Sequence, residues 1–294
     1  MRIVSLLPST TEILFALGAG DDVVGVTFEC DTPAAARTRT IVSTSAMPAG
    51  LDAAGIDAWV SAALRDGQDL YHLDADALRG LDADLVVTQD LCAVCAVDVS
   101  TVDDALAHLG CTADVVTVDP HTLEEVLASV TTLGTATGHD DAARALVAGL
   151  RARLHDVATT VSGLPEPRTV LLEWTDPPFA PGHWVPEMVE RAGGLPVLGR
   201  SGQKSVRTTW EAVADARPEV VVCAPCGYDL EGATREAIAL VERDVLPAGV
   251  PVWAVDADAA YARPGPRLVD GVETLSAILH PEVMGPPSGA HRVR

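Results

Sequence analysis

The feature that most constrains this chain is one long amphipathic stretch at its middle, residues 139–161, HDDAARALVAGLRARLHDVATTV. Ala143, Leu146, Val147, Leu150, Leu154, Val157 and Val161 recur at three- and four-residue intervals, the spacing that lines up one face of an α-helix. Asp140 and Asp141 fall in its first turn, where carboxylates complement the helix dipole. Ser162, Gly163 and Pro165 end it, as small and ring-locked residues do. At about 1.5 Å per residue such a helix spans roughly 35 Å, the width of a small domain. Strand-and-helix patterning lies on both sides. The helix therefore reads as a rigid strut between two lobes, with an ordinary long helix inside one α/β domain as the alternative.

Before the strut, short β-branched runs predict strands at 2–7, 23–26, 41–42, 85–88 and 115–118. Helices are expected at 52–64, 102–109 and 123–133, and the segment 8–12 reads as another helix start, with Ser9 as the cap and Glu12 at the third helical position completing a capping box. After the strut, strands are expected at 169–172, 220–223 and 252–255, and helices at 184–192 and 267–279. Strands alternating with helices imply parallel sheets. The expected fold class is α/β: two Rossmann-like lobes with parallel sheets, 1–135 and 165–285, joined by one long helix within 136–164. The Gly-, Pro- and Ser-rich tail, 286–294, is expected to be disordered.

Composition narrows the function. A chain of 294 residues that is 48% hydrophobic has ample material for a core. A net charge of −22, with Lys204 the only lysine, argues against a nucleic-acid partner, because phosphate neutralisation needs basic side chains. No apolar run is long enough to cross a bilayer. The chain opens directly in a strand with no secretory leader. Read at face value, that places it in the cytoplasm; if a leader is missing from this sequence, the periplasm or cell surface is the alternative. A cytoplasmic setting disfavours disulfides, so Cys30, Cys92, Cys95, Cys111, Cys223 and Cys226 read as free thiols, metal ligands or redox groups. No Ser-His-Asp order, HExxH or phosphate-loop pattern points to an enzyme.

Ligands of open parallel sheets bind outside the carboxyl ends of the strands. That rule selects the loops 8–9, 28–31, 89–95, 119–121, 174–184, 226–229 and 256–263. Ser9, Glu29 and Gln89 are the candidate ligand contacts of the first lobe. Trp174, Phe179, His183, Trp184, Tyr228 and Arg263 are those of the second. The aromatic side chains offer large flat apolar walls, His183 an imidazole for a metal centre, and Arg263 a fork for oxyanions or an acidic partner. Each also has a plainer reading as core or loop packing.

Cys92-x-x-Cys95 and Cys223-x-x-Cys226 have the spacing of soft-metal ligands. Cys223 ends a strand and Cys111 follows a helix-ending glycine, so both read as structural. Cys30, Cys92, Cys95 and Cys226 remain as a convergent set: a soft-metal or iron-sulfur site, thiols that line a pocket, or, at Cys92 and Cys95, a redox pair.

The segment RIVSLLPSTTEILFALGAGDDVVGVTFECD, residues 2–31, resembles the opening of substrate-binding proteins for cobalamin and iron chelates. EWTDPPFAPGHWVPEM (173–188), VVCAPCGYDLE (221–231) and YARPGPRLVDG (261–271) resemble the cobalamin-binding branch. The resemblance covers about residues 2–281. It implies two α/β lobes on one long helix, a ligand held between them, and cobalamin or a related corrinoid as that ligand. A ferric siderophore and haem also fit a two-lobe aromatic cleft. The sequence departs from the family in lacking a leader and in carrying cleft cysteines, which argues against delivery to a membrane permease. The resulting expectation is a cytoplasmic, non-enzymatic binding protein for a corrinoid or similar small-molecule metal chelate. The alternatives are a metal- or thiol-dependent protein using the cleft cysteines, and a transporter's substrate-binding component whose leader is unrecorded.

Overall fold

Runs of valine, leucine and threonine dictate where the sheets form. The computed structural model describes residues 1–89 and 113–294. The expected helix at 102–109, and Cys92, Cys95 and Cys111, lie outside them. The chain divides into two compact units, one of residues 1–120 and 125–148, the other of 121–124 and 149–294.

In the first unit the strands are β1 (Ile3–Ser5), β2 (Val23–Val26), β3 (Thr40–Ile41), β4 (Ser43–Ser45), β5 (Tyr71–Leu73), β6 (Leu85–Thr88) and β7 (Asp114–Thr117). Five of them make one sheet in the order β3-β2-β1-β6-β7, every pair parallel. β4 and β5 form a separate antiparallel pair. Central strands buried on both faces read as continuous apolar runs; accordingly Ile3, Val4, Val86 and Val87 are wholly buried.

The helix after β1, Pro8–Ala16, corrects the expected cap. Leu7 is the capping residue, and no side chain caps the helix. Proline's fixed φ suits the first helical position, so Pro8 starts the helix one residue before Ser9. The Thr10 and Thr11 hydroxyls donate to the Leu7 carbonyl at 3.1 and 3.0 Å.

The strut forms as the helix Asp140–Val161. Ala143, Val147, Leu150, Leu154, Val157 and Val161 are buried, and Leu146 is half-buried. Its residues to Ala148 belong to the first unit and those from Gly149 to the second. The preceding helix, Leu123–Thr137, packs tightly against it at Gly134, where any added Cβ would collide with that of Ala143. Further along, Arg153 donates to Asp270 at 2.6 Å and to Glu273 at 2.8 and 2.6 Å. These two carboxylates raise the Arg153 pKa, the Glu273 hydrogen bond contributing most. They tie the strut to the closing helix Leu268–Leu279.

The strands of the second unit are β8 (Arg168–Leu172), β9 (Trp174–Thr175), β10 (Pro178–Ala180), β11 (Leu195–Pro196), β12 (Val206–Arg207), β13 (Val220–Cys223), β14 (Val252–Val255) and β15 (Ala290–Arg292). The main sheet runs β11-β8-β13-β14-β15, and β12-β10-β9 make a three-stranded ribbon. β11, β8, β13 and β14 are parallel. β15 is antiparallel and corrects the expectation of a disordered tail: Trp253 pairs with Arg292 and Val255 with Ala290. The outer edge of β14 offers unpaired backbone groups. The AHRVR segment fills them, and Arg294 adds donations to the Val250 and Pro247 carbonyls at 3.0 and 2.7 Å. Among the described residues no helix is long and apolar enough to cross a membrane.

Candidate ligand-binding site

Strand register decides which side chains meet. Leu172, Cys223 and Ala254 stand side by side at the carboxyl edge of the second unit's sheet. Glu173-Trp174, Ala224–Tyr228 and Asp256 therefore leave the sheet along one edge. Two backbone bonds fix these turns: Cys226 N–H donates to the Glu173 carbonyl at 3.0 Å, and Asp258 N–H to that of Tyr228 at 3.0 Å. The Trp174 and Tyr228 rings meet edge to face, centroids 5.7 Å apart at 68°, the geometry that aromatic quadrupoles favour. The Trp174 indole N–H donates to the Asp176 carbonyl at 3.1 Å. Both rings are half-buried.

The ribbon extends this surface. Phe179 of β10 pairs with Trp174 of β9 on one side and with Arg207 of β12 on the other. Residues directly opposite each other in antiparallel strands share a face. The Arg207 guanidinium lies over the Phe179 ring, 5.8 Å from its centroid. On the other face, Glu173 accepts from Gly182 N–H at 3.2 Å and from the Ser205 hydroxyl. Gly182 admits no side chain, because a Cβ there would strike the backbone of Gln203 and Ser205.

The next residue, His183, is held in the left-handed region at φ +47°. Its N–H donates to the Gln203 carbonyl at 2.6 Å, and its own carbonyl accepts from Gly202 at 2.9 Å. The ring sits 6.0 Å from His121 and 5.6 Å from Trp184, centroid to centroid. Nε2 is buried with no hydrogen-bond partner. Burial, then the neighbouring His121 and Lys204, lower the pKa of His183. These effects favour the neutral imidazole, the form that ligates metals, while Nε2 itself is shielded.

Two further candidates are engaged by the protein itself. Trp184 is 5% exposed, and its indole donates to the Tyr261 carbonyl at 2.8 Å; it is a core residue. Arg263 is 9% exposed and grips Asp258 with two bonds, 2.6 and 3.2 Å. It shapes the loop beside Tyr228 through the same Asp258 whose N–H meets the Tyr228 carbonyl.

In the first unit, Ser9 and Gln89 are buried and Glu29 is half-buried at the carboxyl edge of its sheet. There the exposed Phe28 ring lies 6.0 Å from Tyr71, an aromatic pair that the sequence reading passed over. Its only sequence signal was an aromatic residue at the end of strand 23–26. The pairing of Arg207 with Phe179, 28 residues earlier, is likewise a product of the fold that no sequence spacing encodes.

Three of the thiols lie among the described residues. Cys30 is buried, accepting from Thr11 at 3.1 Å and lying 3.1 Å from the Thr27 hydroxyl. Cys223 is wholly buried, and burial pushes its pKa up to about 12. Cys226 is exposed. Cys92 and Cys95, the other members of the expected soft-metal or iron-sulfur set, lie outside the described residues. Among the described residues, no three His, Cys, Asp or Glu side chains are grouped to hold a metal ion.

Two α/β units with parallel sheets, one long helix and an aromatic surface at a carboxyl edge define a two-lobe solute-binding protein. The chain belongs to the family described as periplasmic binding protein, whose profile matches residues 3–246. It is 27% identical to an uncharacterized ABC transporter substrate-binding lipoprotein of Bacillus subtilis, over 96% of this chain and 80% of that protein. It is 24% identical to a vitamin B12-binding protein of Vibrio cholerae, over 95% of this chain and 88% of the relative. Among solved structures, a periplasmic heme binding protein from Pseudomonas aeruginosa superposes with a TM-score of 0.71 at 21% identity, covering 99% of this chain and 97% of that one.

Proposed function

We propose that this protein is the substrate-binding component of an ABC transporter for a tetrapyrrole-sized metal chelate, a corrinoid foremost. The observation that carries the reading is the aromatic surface of Trp174, Tyr228 and Phe179 outside the carboxyl ends of a parallel sheet. A flat, largely apolar chelate buries area against such a surface without needing many polar partners. The vitamin B12-binding relative supports the corrinoid, and the heme-binding structural neighbour supports the wider class of planar metal chelates. The lipoprotein and periplasmic relatives favour the periplasm or cell surface over the cytoplasm, and with it a membrane permease as partner.

Binding on this reading is non-covalent. Trp174 and Tyr228 form the wall, and Phe179 continues it. Arg263 holds the Tyr228 loop through Asp258. The test is calorimetric titration of the purified protein, in parallel, with cyanocobalamin, haemin and a ferric siderophore. Saturable one-to-one binding of a planar chelate is expected. Binding of the siderophore alone, or of none of the three, overturns the reading.

A further inference from the structure

We propose that His183 is a proton-operated latch: protonation of its ring opens the turn that backs the aromatic wall, and the protein releases its chelate in acid. The release rests on the chelate reading above; the opening of the turn does not. Three segments of the second unit interlock here. His183 donates its N–H to the Gln203 carbonyl at 2.6 Å, and its own carbonyl accepts from Gly202 N–H at 2.9 Å and from the Ser201 hydroxyl at 3.3 Å. Gly182 lies so close to the backbone of Gln203 and Ser205 that no Cβ fits between them. Glu173 completes the interlock, accepting from Gly182 N–H at 3.2 Å and from the Ser205 hydroxyl. The next residue is Trp174 of the wall. Opening the turn therefore unfastens the carboxylate that holds the start of β9.

An imidazolium donates from both ring nitrogens. Nε2 of His183 is buried with no hydrogen-bond partner, so the closed turn leaves one of those donors unsatisfied, a costly state for a buried cation. The groups around the ring oppose the cation too. His121, just before the helix Leu123–Thr137, lies 6.0 Å away, centroid to centroid, and Lys204 belongs to the loop 200–205; burial first, then these two, lower the His183 pKa. Trp184 packs on the ring at 5.6 Å. Of the neighbouring carboxylates, Glu173 holds Gly182 and Ser205. Glu187, on the helix Val185–Arg191, accepts from Leu123 N–H at 3.0 Å and from Arg191 at 3.1 Å. Turning the ring out to water satisfies both N–H groups. It also relieves a backbone held at φ +47°, where a residue other than glycine is strained. The closed turn is thus favoured above the ordinary imidazole value near 6.5 and loses that advantage as pH falls from there to the lowered folded value.

Amide hydrogen exchange of the ligand-free protein, read residue by residue from about pH 7.5 to about pH 5 and corrected for intrinsic rates, tests the latch. Protection of the Gly182, His183 and Gly202 amides should fall up to about tenfold per pH unit inside the window, the limit for one linked proton, while Val221 and Val222 of β13 keep theirs. His183→Asn tolerates a positive φ and cannot titrate; it should abolish the pH dependence. Lys204→Gln, at an exposed position, should narrow the window from below, because losing a neighbouring cation raises the folded pKa. The Kd of whichever of cyanocobalamin and haemin binds should rise in parallel in the wild-type protein and stay flat in His183→Asn. Protection that ignores pH, or falls equally in His183→Asn, overturns the latch; a flat Kd beside falling protection overturns the release. Should His183→Asn fail to fold, Lys204→Gln decides, and an unchanged window sinks the proposal. If neither chelate binds near neutral pH, the chelate reading falls, and the amide protections still decide whether the turn opens.

Discussion

Replacing Trp174 with alanine tests the aromatic wall most directly. A fully enclosed aromatic side chain buries roughly 150–250 Å². Trp174 is already largely covered by its own protein, so a ligand would cover the remainder, at most about 90 Å². At ~25 cal/mol per Å² that area contributes up to about 2 kcal/mol, and a range of ~1–2 kcal/mol corresponds to roughly a 5- to 30-fold rise in Kd. The substitution also removes the edge-to-face pair with Tyr228, worth ~0.5–1.5 kcal/mol of stability, so fold must be checked beside affinity. Trp174→Phe keeps a ring against Tyr228 and separates the two effects: it should bind within about threefold of wild type, the scale of a partial loss of face area. Calorimetric titration with the chelate that binds, together with circular dichroism of each variant, is the assay. An unchanged Kd for Trp174→Ala in a natively folded protein would refute the assignment, because a wall residue cannot lose its face without cost.

Three more predictions address the surroundings. Arg263→Gln should lower stability by about 1–3 kcal/mol in urea melts, since it removes the two-bonded guanidinium from a partly buried carboxylate; Arg263→Gln with Asp258→Asn should recover part of the loss. His183 makes stability fall with acid: its folded pKa is lowered from 6.5, so the unfolded chain binds more protons and stability is lost as pH drops below the ordinary imidazole value, until the depressed folded value is reached. His183→Gln should flatten unfolding free energy against pH in that window. Cys226 should alkylate rapidly in the native protein while Cys30 and Cys223 stay protected, read out by peptide mass mapping, because exposure and thiolate formation control thiol reactivity.

Much of the fold was legible because its elements bury one face or two. The strands Val220–Cys223 and Val252–Val255 occupy the expected positions, since a short apolar run between turn residues has few other uses. The strut starts at Asp140, one residue from the expected His139, its three-four spacing being unambiguous over so many turns. The errors lie where a local signal met a non-local partner. Ser9 looked like a cap until Pro8 claimed the first helical position. The tail looked unstructured until the free edge of β14 gave its backbone a partner. The helix Leu230–Glu242 was passed over although Asp229 caps it by accepting from Gly232 at 2.8 Å; a capping signal and a helical period were both present in the sequence.

The site was legible to the extent that it depends on strand ends. Parallel strands deliver their carboxyl ends to one edge whatever the details of packing, which is why Trp174 and Tyr228 meet as a pair at that edge. Which of the aromatic candidates remain available to a ligand depends instead on bonds that no spacing encodes. Trp184 differs from Trp174 by the Tyr261 carbonyl that draws its indole into the core. Arg263 and Arg207 look alike in sequence, each beside a turn in the second half. Asp258 lies five residues before Arg263 and takes its guanidinium, whereas the antiparallel ribbon brings Arg207 onto Phe179 from across two strands. One arginine thereby holds the loop beside Tyr228, and the other packs on a ring of the ribbon. Their substitutions should separate accordingly, Arg263→Gln lowering stability in urea melts and Arg207→Gln, at an exposed position, leaving it within about 1 kcal/mol of wild type.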